Sequence, residues 1–170
     1  TFVSAIPLVS LVYGMTGNTS RFNVRRLSLR FPKLPPAFEG LRIVQISDLH
    51  VGSFLSGEPL RRAIDLIHAQ QPDLILFTGD LVNNLSEEVD EHLDTLASLR
   101  APLGVYSILG NHDYGDYHPW ESPEARLQNL ERLKALQRSM GWKLLLNEHD
   151  YIERDGQRIG IVGVENWSAR

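Results

Sequence analysis

Apolar and polar residues follow one another along the chain in short segments with two different periods. Three short, mainly apolar runs, at 41–46, 74–77 and 105–109, have the length of buried strands. Each is followed by a loop and then by a segment whose apolar residues recur every three or four positions, as on one face of a helix. These helical segments span about 60–67, 86–99 and 122–140. Strand and helix alternating at roughly 30-residue spacing predict βαβ units and a parallel sheet with right-handed crossovers.

Local signals at the ends of the elements agree with this pattern. Pro59 stands in the first turn of the first helix, and Ser122 followed by Pro123 is typical of the start of the third. Past Gly141 the pattern changes to short strand-like runs, and Asp155-Gly156 between the last two is a hairpin turn signal. These runs are 143–146, 151–153 and 158–164.

The first forty residues differ from the rest. Residues 1–20 begin with an uncharged apolar stretch that ends near Tyr13 and is shorter than the roughly 20 residues needed to span a bilayer. This stretch is either the end of a membrane helix or a short apolar segment packed on the domain, around an export signal. Residues 21–40 predict a basic edge strand that ends at Pro32, followed by a Pro-rich connector. Residues 41–170 form the predicted globular domain.

Charge divides the chain at the same place. Residues 1–40 carry five basic residues and one acid, whereas the remainder carries twelve basic residues and twenty acids. Basic residues just after an apolar stretch favour the membrane-helix reading, with the domain on the cytoplasmic side. The acidic body argues against nucleic-acid binding, which needs clustered Lys and Arg. Six His and no Cys exclude a disulfide scaffold and a thiol nucleophile, so any metal site uses His, Asp, Glu and Asn.

Each of the first three predicted strands is followed at once by a polar cluster. The clusters are Ser47-Asp48-Leu49-His50, Thr78-Gly79-Asp80 and Gly110-Asn111-His112-Asp113. Because the carboxyl ends of parallel strands lie at one edge of a sheet, where α/β proteins bind ligands, we expect the clusters to converge on one crevice.

The converging side chains predict a metal site. Two carboxylates, an imidazole and an amide oxygen, with no Lys or Arg in these loops, place more negative charge in a crevice than can be buried unpaired. A divalent cation would neutralise that charge. Oxygen and nitrogen ligands without sulfur suit Mn, Fe or Zn, and a shared carboxylate can bridge two ions. Asp80, from the middle cluster, is the natural bridging residue.

The three clusters resemble, in order and spacing, the D-x-H, G-D and G-N-H-D motifs of calcineurin-like metallophosphoesterases. The strings IVQISDLH at 43–50 and APLGVY at 101–106 resemble the membrane-associated bacterial branch of that superfamily. The resemblance covers about residues 22–165. It implies an α/β sandwich of the metallophosphoesterase type built on βαβ units, with the C-terminal strands missing from this fragment.

The resemblance also implies roles for single residues and a cofactor of two divalent metal ions. The ligands are Asp48 and His50 for the first ion, Asp80 as the bridge and Asn111 for the second ion. His112 would be the acid near the leaving group, and two close cations would clamp the phosphate. Asp113 would orient His112 through a hydrogen bond.

The family continues with another metal-binding His and a G-H-x-H motif, and nothing after His112 matches either. His118 and His149 have the right residue type outside the expected context, so neither is assigned as a ligand. Because at least three ligands expected from the family lie beyond Arg170, we expect the 170-residue chain alone to be inactive or nearly so.

The predicted function of the full protein is hydrolysis of a phosphoester or pyrophosphate bond by two bound metals. The substrate would be a phosphorylated small molecule or a lipid-linked phosphate, and the catalytic domain would be held at a membrane. Two alternatives are a non-catalytic membrane-attached scaffold of the same fold and a nuclease of the same superfamily. The acidic body and the absence of a basic groove disfavour the nuclease.

Two features beside the motifs stay open. Asn83 and Asn84, which follow Asp80, either line the crevice or only form the loop. Tyr114, Tyr117 and Trp120 make an aromatic loop beyond His112 that either contacts substrate or packs over the next helix.

Overall fold

The computed structural model describes residues 22–167, which belong to two compact units that divide between Pro32 and Lys33. In the first unit, residues 22–31 have no regular secondary structure, where the sequence predicted an edge strand. The Arg25-Arg26 pair interrupts the alternation, so neither face of an extended segment would be uniformly apolar. The predicted membrane helix or export segment at 1–20 lies outside the described residues.

The second unit contains a four-stranded parallel sheet. Its strands are β1 (Ile43–Ile46), β2 (Leu74–Phe77), β3 (Val105–Ser107) and β4 (Lys143–Leu144), and they stand side by side in sequence order. With right-handed crossovers, this order places every connection on one face of the sheet. The predicted parallel sheet of βαβ units is therefore confirmed.

The first and third crossovers are regular helices. Helix α1 (Glu58–Ala69) has Pro59 in its first turn and buries Leu60, Ile64 and Ile67, which share one face. A later helix, Pro123–Ser139, begins where the Ser122 hydroxyl accepts a hydrogen bond from the backbone N–H of Ala125 at 3.2 Å. Both helices lie where the sequence predicted them.

The second crossover is not the single helix predicted over 86–99. It is a 3-10 helix at Ser86–His92 followed by a short α-helix, α2 (Leu93–Ala97). The buried residues of the first part, Ser86, Val89 and His92, recur every three positions. That spacing matches the three residues per turn of a 3-10 helix, which lines them up on one face. The helix Pro123–Ser139 is α3.

Side chains on the helical face of the sheet form the larger core. Ile75 and Phe77 of β2 and Val105 of β3 pack with the buried faces of α1, α2 and α3, and Trp142 lies 5.3 Å from the Phe77 ring, centroid to centroid. Burial of this apolar surface is the main stabilising term of the domain.

The opposite face of the sheet is covered by a β-hairpin. Strands β5 (Glu148–Arg154) and β6 (Gln157–Gly163) pair antiparallel around the predicted Asp155-Gly156 turn. Ile152 and Ile159 pack in one cluster with Leu74 and Leu76, the β2 residues that point away from the helices. The sheet is thus the middle layer between helices and hairpin, as predicted for a sandwich.

A polar contact joins the hairpin to the sheet beside this apolar layer. The Tyr106 hydroxyl donates to Asp150 Oδ2 at 2.8 Å, and Lys143 Nζ donates to the same oxygen at 2.9 Å. These hydrogen bonds, that of Lys143 above all, lower the pKa of the Asp150 carboxyl to about 2. The carboxylate is therefore charged at neutral pH and accepts from both groups.

Within residues 33–40, the end of the predicted Pro-rich connector, one side chain packs into the core. A 3-10 helix at Pro36–Phe38 places Phe38 fully buried in the cluster that contains Leu74 and Tyr106. The backbone N–H of Ala37 donates to Gln157 Oε1 on β6 at 2.9 Å. The apolar side chain of Phe38, set among prolines, was the signal for this packing.

Candidate metal centre

The loops that follow β1 and β2 stay hydrogen-bonded to each other beyond the ends of the strands. Asp48 N donates to Gly79 O at 3.0 Å, His50 N to Asp80 O at 3.1 Å, and Val51 N to the Leu81 carbonyl at 2.9 Å. The first two polar clusters are therefore adjacent at the carboxyl edge of the sheet. This convergence is what their positions after parallel strands predicted.

Three residues of these loops have a positive φ angle, a backbone conformation that residues other than glycine rarely adopt. The φ angles are 56° at Asp48, 45° at His50 and 57° at Asp80. Such conformations cost about 1 kcal/mol or more each and persist only where the surroundings impose them.

Two glycines allow the second and third loops to approach closely. A Cβ at Gly79, whose φ is +98°, would lie 2.5 Å from Gly110 Cα and 2.8 Å from Leu109 C. A Cβ at Gly110 would lie 2.5 Å from the backbone nitrogen of Asp80 and 2.8 Å from its Cγ. Glycine is therefore required at both positions, and the Asp80 carboxylate packs directly on the backbone of the third loop.

Asp113 joins the second and third loops through hydrogen bonds to their backbone. Its fully buried carboxylate accepts from the backbone N–H groups of Asp80 at 2.9 Å, Leu81 at 2.8 Å, Val82 at 3.3 Å and Gly110 at 2.9 Å. Burial raises the pKa of this carboxyl to about 6, although the N–H groups of Gly110, Val82 and Leu81 oppose the rise.

The contacts of Asp113 differ from the predicted hydrogen bond to His112. The two residues are neighbours in a 3-10 helix at His112–Tyr114, where successive side chains point about 120° apart. Asp113 therefore faces the buried loop backbone while His112 faces the crevice. Asp113 joins the loops of Asp80 and Asn111 through its hydrogen bonds to their backbone.

Three predicted site residues lie close together in these loops. One donor atom each from His50, Asp80 and His112 lies within 4.8 Å of the others, and His50 Nε2 is 3.9 Å from Asp80 Oδ2. Asp80 is buried, and its other oxygen, Oδ1, accepts from the backbone N–H of His112 at 2.9 Å. The imidazoles of His50 and His112 meet edge to face, with ring centroids 4.7 Å apart.

The ring of His112 is held by a carbonyl that the sequence did not reveal. Its Nδ1 lies 2.8 Å from the carbonyl oxygen of Asn83. Because a carbonyl oxygen only accepts, Nδ1 carries the proton and Nε2 is the ring nitrogen left for the crevice. Asn83 thus contributes to the site through its backbone, which leaves no trace in the residue type.

Tyr117 of the aromatic loop lies at the mouth of the site. Its ring is 4.7 Å from that of His112, and its hydroxyl accepts from Asn111 Nδ2 at 2.9 Å. With the amide nitrogen of Asn111 so engaged, the amide oxygen is left as the group able to bind a cation. The ring of Trp120 has a different role, since its Nε1 donates to the Gly115 carbonyl at 2.6 Å within the loop.

Other candidates take no part in this cluster. Asp48 is exposed and, among the residues that the structure describes, is not in the group with closely spaced donor atoms. The ring of His118 packs on Trp120 at 4.6 Å, and that of His149 packs on Tyr151 of the hairpin at 5.5 Å. Neither was assigned as a ligand from the sequence.

The donor set fits a divalent cation. Two ligands of one ion at about 2.1 Å can be up to roughly 4.2 Å apart, which the 3.9 Å between His50 Nε2 and Asp80 Oδ2 satisfies. The imidazole nitrogens and the carboxylate are ligand types that suit Mn, Fe or Zn. Among the residues that the structure describes, His50, Asp80 and His112 are the ones whose donor atoms lie close enough together to hold such an ion.

This fold and site define a class of protein. Residues 41–166 match the family model described as calcineurin-like phosphoesterase, and the chain belongs to that family. The resemblance found in the three motifs is thereby confirmed.

Relatives of known name agree with this membership. The metallophosphoesterase YkuE of Bacillus subtilis is 40% identical over 137 residues, which are 78% of this chain and 44% of that protein. UDP-2,3-diacylglucosamine pyrophosphatase LpxG of Chlamydia trachomatis is 39% identical over 118 residues, 69% of this chain and 36% of that protein. A transmembrane protein with metallophosphoesterase domain from Danio rerio is 28% identical over 168 residues, 97% of this chain and 36% of that protein. The chain thus spans less than half the length of each of these relatives.

Proposed function

We propose that the full protein is a dinuclear-metal-dependent hydrolase of a phosphoester or pyrophosphate bond. The observation that carries this proposal is the convergence of His50, Asp80 and His112 at the carboxyl edge of a calcineurin-like phosphoesterase sheet. The proposed ligands are Asp48 and His50 for one ion, Asp80 as the bridge and Asn111 for the other.

Each side chain has a task that follows from its contacts. Divalent ions held there would neutralise charge on the phosphate and activate the attacking water. His112, whose Nδ1 donates to the Asn83 carbonyl, presents Nε2 to the crevice and can give a proton there to a departing oxygen. Asp113 keeps the loops of Asp80 and Asn111 at a fixed separation.

The substrate class rests on a named relative. LpxG is named as a pyrophosphatase of a diacylglucosamine nucleotide, and it shares 39% of the aligned residues with this chain. We therefore propose a phosphorylated small molecule or a lipid-linked phosphate as the substrate, with the pyrophosphate bond of a nucleotide-linked lipid as the first candidate to assay.

His112→Asn tests the proposed acid. In the full-length protein we expect this variant to keep its metal and to lose about 10²- to 10⁴-fold in rate on an alkyl phosphate, which has a poor leaving group. The loss should be much smaller on an activated aryl phosphate, whose leaving oxygen needs no proton. Steady-state rates on the two substrates and metal content by elemental analysis provide the measurement.

The same experiment separates the acid role from a ligand role. A donor atom of His112 lies within 4.8 Å of those of His50 and Asp80, so loss of metal together with equal loss on both substrates would identify His112 as a ligand. His68→Asn is the matched control, because His68 lies on α1 and its Nε2 accepts from the backbone of Arg100 at 3.3 Å. This control should leave rates and metal content unchanged.

We further propose that the domain is attached to the cytoplasmic face of a membrane. Residues 22–33 carry Arg25, Arg26, Arg30 and Lys33 among exposed apolar side chains, of which Leu27, Leu29 and Phe31 are 86%, 71% and 63% exposed. Each basic residue near an anionic surface contributes about 1 kcal/mol to binding. The relative from Danio rerio is named as a transmembrane protein. Within residues 22–167, none of the helices has the length and apolar character to cross a bilayer.

Reporter fusions placed after Lys33 in the full-length protein test this orientation. A reporter active only in the cytoplasm should be active there, because basic residues beside an apolar segment are retained on that side. Activity of a periplasm-only reporter at the same position would overturn the assignment. A second fusion series with Arg25, Arg26 and Arg30 changed to Glu provides the control, since loss of the basic residues should weaken the bias.

A further inference from the structure

We propose that Glu88 is a positioning residue for His112, acting through the peptide group between Asn83 and Asn84. The proposal rests on the acid role of His112 given above. Glu88 lies on the second crossover, outside the three motifs, and does not contact the reacting atoms.

The Glu88 carboxylate collects three consecutive backbone N–H groups. Its Oε2 accepts from Asn83 at 2.6 Å, and its Oε1 accepts from Asn84 at 3.0 Å and from Leu85 at 2.8 Å. A helix cap accounts for one of these bonds, because a Glu in the first turn commonly reaches back to the N–H that precedes the helix. The bonds to Asn83 and Asn84 lie before the helix and extend into the loop that follows Asp80.

One of these bonds shares a peptide group with the imidazole contact. The N–H of Asn84 and the carbonyl of Asn83 belong to the same peptide, which is trans, so the two groups point in opposite directions. The N–H donates to the Glu88 carboxylate and the carbonyl accepts from His112 Nδ1 at 2.8 Å. The carboxylate, the peptide and the imidazole therefore form one chain of hydrogen bonds.

This chain of hydrogen bonds has an electrostatic effect on His112. A negative charge on the N–H side of a peptide makes its carbonyl a stronger acceptor, since hydrogen bonds in series polarise one another. The charge on Glu88 thus favours the form of His112 with its proton on Nδ1 and holds Nε2 toward the crevice. Asp113, the residue expected to do this, is fully engaged with backbone amides of the loops.

The Glu88 side chain also packs against the first loop. A Cβ at Gly52 would lie 2.6 Å from Glu88 Cδ and 2.9 Å from its Cγ, so only glycine leaves room for this side chain. Ser53 beside it donates its hydroxyl to Asn83 Oδ1 at 3.2 Å. The Glu88 carboxylate thus lies between the loop that carries His50 and the loop that carries Asn83.

Glu88→Gln in the full-length protein tests the proposal, with Glu87→Gln as the matched control at the exposed neighbouring position. Glu88→Gln should lower the rate about tenfold or more on an alkyl phosphate and much less on an activated aryl phosphate, as expected for an orienting partner of the acid. In a His112→Asn background the same change should cost nothing further, because the two residues act through one interaction. Glu87→Gln should leave both rates unchanged.

A spectroscopic measurement does not depend on activity. In the metal-free protein, nitrogen-15 spectra of the imidazoles report which ring nitrogen of His112 carries the proton, and Glu88→Gln should shift that population away from Nδ1–H. An unchanged His112 spectrum, or an equal loss on both substrates that persists in the His112→Asn background, would reduce Glu88 to a helix cap and overturn the proposal. Absence of any hydrolysis in the wild type would refute the proposed function and leave the spectroscopic test intact. Should Glu88→Gln fail to fold, Glu88→Asp takes its place, because the shorter side chain withdraws the carboxylate from Asn84 and keeps the charge.

Discussion

Asp80→Asn in the full-length protein is expected to remove most of the bound metal and to lower kcat/KM by about a hundredfold or more. Substitution of residues that only support metal ligands already costs 10- to 100-fold, and Asp80 is the proposed bridge between two ions. An amide of the same shape supplies neither the negative charge nor a second good ligand oxygen. Elemental analysis of the purified variant and steady-state kinetics at saturating Mn measure the two effects.

The control for this variant is Asp65→Asn, on the exposed side of α1, which should retain full metal content and rate. Asp80 Oδ1 also accepts from the backbone N–H of His112 at 2.9 Å, so thermal unfolding of each variant in excess chelator reports the structural share of the loss. Two transition ions bound to Asp80→Asn with wild-type affinity would contradict the bridging assignment.

Gly79→Ala is expected to destabilise the protein by roughly 3 kcal/mol or more, or to prevent folding of the site. Alanine is strained at a φ of +98°, and its Cβ would lie 2.5 Å from Gly110 Cα, so the third loop must move. That loop carries Asn111 and His112, and metal affinity should therefore fall together with stability. Urea unfolding and metal titration of the full-length variant measure both quantities.

Gly141→Ala separates the two causes. Gly141 has a similar φ, +80°, but a Cβ there would meet no atom within 4 Å. This variant should lose only the backbone term, about 1 kcal/mol, and should bind metal as the wild type does. Equal losses in the two variants would show that the close approach of the second and third loops has no energetic consequence.

Much of the fold follows from local pattern. The strand at 74–77 is predicted with its exact observed bounds because four apolar residues between polar loops leave little choice, and the Asp155-Gly156 turn fixes the hairpin. The prediction of one α-helix in the second crossover was wrong. Apolar positions at 89, 93, 96 and 99 fit an α-helix, but Ser86 and His92 are also buried and give the spacing of a 3-10 helix. Their burial depends on tertiary packing, which the sequence pattern does not show. Phe38 was missed for the same reason.

The site divides along similar lines. The meeting of His50, Asp80 and His112 is predictable since parallel strands end at one edge, and this requires only the order of the clusters. The hydrogen bond that orients His112 is not predictable from the sequence, because its acceptor is the backbone carbonyl of Asn83, which any residue at that position would provide. Adjacency in sequence favoured Asp113 as the partner, but neighbours in a 3-10 turn face different directions. Asp48 keeps its proposed role as a ligand from motif resemblance.

The order of the strands in the sheet sets a sequence of events during synthesis. Strands β2, β3 and β4 each pair with the strand that precedes them in the chain, so a nascent chain can add units one at a time as they leave the ribosome. The loops of His50 and Asp80 can join as soon as β2 has emerged, through the backbone ladder between residues 48–51 and 79–81. His112 and Asp113 follow β3, the next strand to emerge. They then form hydrogen bonds with the loop of Asp80, which is already paired with the loop of His50. Capture of metal would thus come late in biogenesis, after the first two loops have been fixed.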